Sequence, residues 1–96
     1  MLYVILAEDR PGHLETRLAT RAVHLDYLSA LGEQLVLAGP FLGEDGNPVG
    51  SMVVVEAADA AAARAMADAD PYAKAGLFAS VAIRPWRWAV KNRDGR

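Results

Sequence analysis

Leu2-Tyr3-Val4-Ile5-Leu6-Ala7 is an unbroken apolar run closed by Glu8-Asp9-Arg10-Pro11-Gly12. Aliphatic and aromatic residues bounded by turn formers read as a β-strand. A strand with one face in water alternates apolar and polar residues, and this one does not. Met52-Val53-Val54-Val55 repeats the pattern later in the chain. Both runs therefore predict strands covered on two faces.

Working outward from the first run, Leu14, Leu18, Arg21, Leu25, Leu28 and Leu31 recur at three- and four-residue steps, which predicts an amphipathic helix ending near Gly32. Leu35-Val36-Leu37-Ala38 predicts a short second strand stopped by Gly39-Pro40, and the segment Gly43 to Pro48 is dense in turn formers. Ser51 to Glu56 forms the third strand. Asp59 caps an Ala-rich helix whose Ala61, Ala62, Ala65 and Met66 suit close packing on a sheet. Phe78 to Trp88 supplies the fourth strand, with Pro85 demanding an edge, bulge or bend. The order βαββαβ is that of the ferredoxin-like α+β fold, with two helices on one face of an antiparallel sheet. Nothing in the chain is left to cover the other face, so a second copy packed sheet to sheet, a dimeric α/β barrel, is the expected partner.

The 96 residues suit one domain. Residues 1–90 are expected to form it, with 91–96 a solvated polar tail. Apolar residues make up 53% of the chain, yet no stretch is long enough for a membrane helix, and no basic leader precedes the first apolar run. A cytoplasmic protein without membrane contact is the expectation. There is no cysteine, which removes thiolate nucleophiles and Cys-ligated metal sites. Ten Lys and Arg against twelve Asp and Glu give a net charge of -2 and no general attraction to nucleic acid. The third strand also lacks the basic, aromatic pattern with which some βαββαβ sheets stack RNA bases. Trp86 and Trp88, two apart on strand four, are expected to close the core or a dimer seam.

The chemistry concentrates in two segments. His24 lies mid-helix beside the apolar stripe, and imidazole is the side chain best suited to moving protons near neutral pH. A histidine that only packs fits the same spacing. Asp68-Ala69-Asp70-Pro71-Tyr72 places two acids where the second helix ends, at its negative pole, where carboxylates are unfavourable. Asp70 has two readings: N-cap of a short turn opened by Pro71 and closed by Gly76, or a carboxylate aimed at His24. Both helices share one sheet face, so the second reading is geometrically open. Ser51 follows Gly50 at a strand start without a nucleophile-elbow motif, which restricts it to hydrogen bonding. His13 is expected at the surface. His13 and His24 do not have the spacing of a helical zinc site, and the glycines match no phosphate loop, so neither metal nor cofactor is expected.

Taken together, Met1-Leu2-Tyr3-Val4-Ile5, Leu14-Glu15, Arg17-Leu18, Arg21, His24-Leu25, Ala38-Gly39-Pro40, Gly50-Ser51, Ala67 to Tyr72, Ala75-Gly76 and Pro85 resemble the YCII-related proteins. The resemblance spans nearly the whole chain. Ala22, where a similar protein has Pro, and a shorter turn from Leu42 to Val49 depart from it. It implies a dimeric barrel and a His–Asp dyad at His24 and Asp70, with Ser51, Arg21 and Tyr72 assigned to substrate binding. A relative removes HCl from a chlorinated hydroxyhydroquinone, and muconolactone isomerase shares the barrel. The implied function is cofactor-independent proton transfer on a small cyclic or phenolic metabolite, in a lyase-like or isomerase-like step. A non-catalytic module that binds or senses a small ligand with the same pocket is the alternative, because a shared fold supports a site more strongly than a reaction.

Overall fold

The structure is a computed structural model and describes all 96 residues. Strand β1 (Leu2–Asp9) leads into helix α1 (Leu14–Ala30), and a single 3₁₀ turn (Gly32–Gln34) returns the chain to β2 (Leu35–Leu42). β3 (Pro48–Glu56), α2 (Ala60–Ala69), the one-turn helix α3 (Pro71–Lys74) and β4 (Phe78–Trp86) follow. The four strands form one antiparallel sheet in the order β2-β3-β1-β4. This is the ferredoxin-like arrangement expected from the sequence, with the two unbroken apolar runs on the two central strands.

Register decides which side chains meet the helices. Tyr3, Ile5 and Ala7 pair with Val55, Val53 and Ser51, and opposed residues share a face. Tyr3, Ile5, Val53 and Val55 pack with Leu28 of α1 and Ala63 and Ala67 of α2 in one buried cluster. Alanine lets α2 approach the sheet closely, and Asp59 Oδ1 caps it by accepting from the Ala62 N–H at 2.8 Å. The buried alanines are Ala63 and Ala67; Ala61 and Ala65 face solvent, one step of the helix away from the expected face. The Tyr27 hydroxyl donates to the Met66 carbonyl at 2.7 Å and ties α1 to α2. On the opposite face Val4, Leu6, Leu37 and Met52 surround Val54, and no helix covers them.

Several boundaries differ from expectation, and β3 begins at Pro48 rather than at Ser51. β2 runs through Gly39-Pro40 to Leu42, with Pro40 opposite Ser51. β2 is an edge strand, where a residue whose N–H side faces away from the sheet has no ladder bond to lose, so proline is tolerated. β4 ends at Trp86, which is 38% exposed and lies against Trp88 with ring centroids 5.8 Å apart. These rings close no core within the chain. The tail is also less free than its composition suggests, because Arg96 donates to the Glu33 carbonyl at 2.7 Å. β4 and β2 are opposite edges, so residues 87–96 cross one end of the sheet. No helix is long and apolar enough to cross a membrane.

Gly50 has a specific reason to be glycine. A Cβ there would lie 2.5 Å from the Ala7 carbonyl oxygen, a backbone atom that cannot give way. That close approach lets β3 run tight against β1 at this point and fixes where Ser51 projects.

Candidate active site

α1 buries Arg17, His24 and Leu28 at steps of seven and four residues. The leucines expected in that stripe lie one step round the helix: Leu18 is 57% and Leu25 43% exposed. The reason is visible beside them. α1 does not lie flat on the β2 side of the sheet but leaves a cleft of about 270 Å³, floored by Ser51 and Val53 and walled by Ala38, Gly39 and Pro40. Leu18 and Leu25 form its apolar lip, with Arg21 between them.

His24 stands at the inner wall. Its Nδ1 lies 2.9 Å from Asp70 Oδ1, with both side chains 9% exposed. The same Oδ1 accepts from the Tyr72 backbone N–H at 2.9 Å. An ionised carboxylate only accepts, so His24 Nδ1 carries the proton it donates and, in the neutral ring, Nε2 carries the lone pair. Nε2 has no protein partner, and no buried side-chain nitrogen or oxygen in the chain is unsatisfied, so Nε2 opens on the cleft. Tyr72 stacks on the imidazole at 3.8 Å between centroids and 14° between planes, which holds the ring orientation. Both readings of Asp70 are therefore true at once. It is the N-cap of α3, with Pro71 at the first position and Gly76 closing the turn at φ 73°, and it orients His24. The N–H groups of α3 supply the partial positive charge that offsets the negative end of α2. Asp68, its neighbour, is exposed and takes no part.

A second network lies deeper. Arg17 Nε donates to Asp9 Oδ2 at 2.7 Å and Nη2 to Asp9 Oδ1 at 3.0 Å, a bidentate pair buried on both sides. Nη2 also donates to Ser51 Oγ at 2.7 Å. Arginine offers no acceptor, so the Ser51 O–H is left to donate elsewhere, and Ser51 lines the cleft. The guanidinium carbon sits 4.7 Å over the Tyr72 ring, a cation–π contact that ties this network to the first. Burial lowers the Arg17 pKa, but the Asp9 carboxylate and the Tyr72 phenol together outweigh it and the net direction is upward. Arg17 and Asp9 were not among the expected site residues, although Arg17 belongs to a segment that carries the family resemblance.

Burial pushes the Tyr72 phenol above the ordinary tyrosine range, against the pull of Arg17 and Arg21. Burial raises Tyr27 too, aided by the Asp70 charge. A folded state that retains protons which the unfolded chain releases loses stability as pH rises. Stability linked to these two tyrosines is full below the unfolded value of 10.0 and is lost as pH climbs through the folded values. Thermal melts should fall in that alkaline window, with phenolate absorbance of the folded protein developing late. All three tyrosines ionising together at the free value, with unchanged melts, would contradict this.

The structure thus brings His24, Ser51 and Tyr72 together around one cleft, sets Asp70 behind His24 and places Arg21 at the cleft mouth. His24 is buried, deeper than the stripe-edge position that its spacing predicts. His13 is apart, its Nδ1 3.0 Å from the Pro11 carbonyl oxygen. No group of three or more His, Asp or Glu side chains is arranged to hold a metal ion.

An antiparallel four-stranded sheet in this order, with helices on one face, places the chain among the small ferredoxin-like α+β proteins, and here a buried His–Asp pair stands beside a helix-side cleft. Within that class the chain belongs to the YCII-related domain family, whose model matches residues 1–87. Protein YciI of Escherichia coli O6:H1 is 41% identical over 95 residues, covering 91% of this chain and 97% of the relative. A protein of Haemophilus influenzae is 40% identical over the same length. Among solved structures, the chain is similar to the 5-chloro-2-hydroxyhydroquinone dehydrochlorinase TftG of Burkholderia phenoliruptrix AC1100, in complex with 2,5-dihydroxybenzoquinone. The TM-score is 0.84 at 36% identity, over 91% of this chain and 94% of that one. An antibiotic biosynthesis monooxygenase shares the fold alone, with a TM-score of 0.55 at 14% identity over 91% and 99% of the two chains.

Proposed function

We propose that the protein is an enzyme in which His24, oriented by Asp70, moves a proton on a small cyclic or phenolic metabolite. The observation that carries the reading is the free Nε2 lone pair facing a cleft, fixed there by a carboxylate on Nδ1. A base held in one tautomer by a buried acid loses no free energy to reorientation when it reacts. In a lyase-like step Nε2 takes a proton from the substrate, the electron pair left behind expels a leaving group as its anion, and the net loss is one molecule of acid. In an isomerase-like step the same proton returns at another ring position. Asp70 stabilises the imidazolium in between. The activity and ligand named for TftG support the phenolic substrate class. Ser51, Arg21 and Tyr72 bind the substrate. The proton transfer draws on side chains alone.

The test is direct: purified protein is given 5-chloro-2-hydroxyhydroquinone, and chloride release and product absorbance are followed. Turnover lowered about 10²–10⁴-fold by His24→Gln supports the reading. Tight binding of such compounds with no turnover by the wild type would replace it with that of a ligand-binding module.

The working unit is a homodimer through the face formed by Val4, Leu6, Met52 and Val54. What supports it is that this face is apolar and no helix lies on it, so that Val4, Leu6 and Met52 stay half-buried around the buried Val54. Sedimentation should give twice the chain mass for the wild type and a monomer for Met52→Glu. A wild type that stays monomeric at micromolar concentration would remove the pairing.

A further inference from the structure

The ionisable side chains lining the cleft are Arg17, Arg21, His24 and Tyr72, and no carboxylate is among them. This holds in a chain whose net charge is -2. The two acids nearest the site lie behind it, each already committed: Asp9 to Arg17, and Asp70 to His24 and the Tyr72 N–H. Arg17 is therefore neutralised and Arg21 is not. Arg21 makes no ion pair and no side-chain hydrogen bond, and it is exposed at the mouth between Leu18 and Leu25. The cleft carries one uncompensated positive charge set between two apolar side chains.

We propose that the cleft selects a planar ring bearing one acidic oxygen, bound as the monoanion, with that oxygen on the Arg21 guanidinium and a second ring oxygen accepting from the Ser51 hydroxyl. This rests on the cleft being the substrate site and names the charge state the substrate brings to it. A guanidinium forks onto a phosphate as readily as onto a carboxylate, but it also stacks on ring faces, so with a leucine on either side the lip matches an aromatic or quinonoid acid better than a phosphate or a sugar. Ser51 has its O–H free to donate toward the cleft, because Arg17 takes one lone pair of its oxygen and offers no acceptor in return. The ring is then held with its edge toward His24 Nε2. A neutral phenol ether of the same shape gains the apolar contacts and loses the charge-assisted ones.

The acidic oxygen could belong to a ring carboxylate or to the hydroxyl of a hydroxyquinone, and three probes separate these cases. Benzoate carries the first, 2-hydroxy-1,4-benzoquinone carries the second, and 2-methoxy-1,4-benzoquinone is a neutral control. The chain has no cysteine to trap a quinone covalently. Calorimetric titration of the wild type should show at least one anion binding more tightly than the ether, with an affinity that falls as salt is added. Arg21→Gln should weaken that anion about ten- to a hundredfold, the range for a charged hydrogen bond, and weaken the ether far less, since the ether loses only the stacking contact. Arg21→Lys should recover part of the loss. Arg21 is exposed, so an unchanged melting temperature checks that the fold is intact. Equal binding of anions and ether by the wild type, or an anion affinity that ignores Arg21→Gln, overturns the monoanion proposal alone. If none of the three binds the wild type, the substrate-site reading falls and the proposal falls with it.

Discussion

His24→Gln is expected to lower turnover by about 10²–10⁴-fold while the protein stays folded, since a positioned general acid–base group contributes about that much. Glutamine is chosen for what it keeps. Its amide N–H can still donate to Asp70 Oδ1, which now receives Nδ1–H at 2.9 Å, and its length retains part of the contact with Tyr72. What it lacks is a proton acceptor of useful basicity at the Nε2 position. Alanine would confuse the test, because His24 is buried: it would empty the space against Tyr72 and leave Asp70 short of a donor, at about 1–3 kcal/mol for the unsatisfied group. Asp70→Asn complements it, since an asparagine keeps the cap on the Tyr72 N–H but no longer dictates the imidazole tautomer. Nitrogen NMR of the ring should show one dominant tautomer in the wild type and a mixture in Asp70→Asn. A His24→Gln protein that turns over at the wild-type rate would end the acid–base role, whatever its stability.

How far this site could be read from the sequence depends on where each interaction closes. The order βαββαβ and the central placement of Leu2 to Ala7 and Met52 to Val55 follow from local hydrophobic pattern and turn chemistry, and the sheet bears them out. Asp70 could be singled out because Pro71 fixes the chain direction after it, and because an acid at the negative end of α2 needs a compensating partner. Arg17 gives no such signal. On a helical wheel it is a charge beside Leu14 and Leu18, and nothing local says that Asp9, at the end of β1, meets it in a buried fork. The exposed Leu18 and Leu25 were misplaced for the same reason. Periodicity assigns leucine to the core, whereas the cleft between α1 and β2 is a property of how the helix sits on the sheet. Gly39-Pro40 misled because the cost of a missing donor depends on strand position, and only the sheet order shows that β2 is an edge.

Arg17→Met is expected to be strongly destabilising, by about 3–5 kcal/mol, because it strands the Asp9 carboxylate in a buried site without its partner. A domain of this size has only about 5–15 kcal/mol in total, so the variant should melt far below the wild type or fail to accumulate. The loss comes from the unpaired charge more than from a missing attraction, and that distinction can be measured. Removing both charges, in Asp9→Leu with Arg17→Met, should restore most of the stability, since apolar replacement of a whole buried pair is often neutral or better. The double variant should still bind and turn over poorly. Without Arg17, the Ser51 hydroxyl is free to rotate into either role, and Tyr72 loses the cation over its ring. Recovered stability with impaired function would separate the two duties of Arg17, holding β1 to α1 and setting the direction of the Ser51 donor. A double variant as unstable as Arg17→Met would mean that packing of the long side chain, and not the stranded carboxylate, is what the fold depends on.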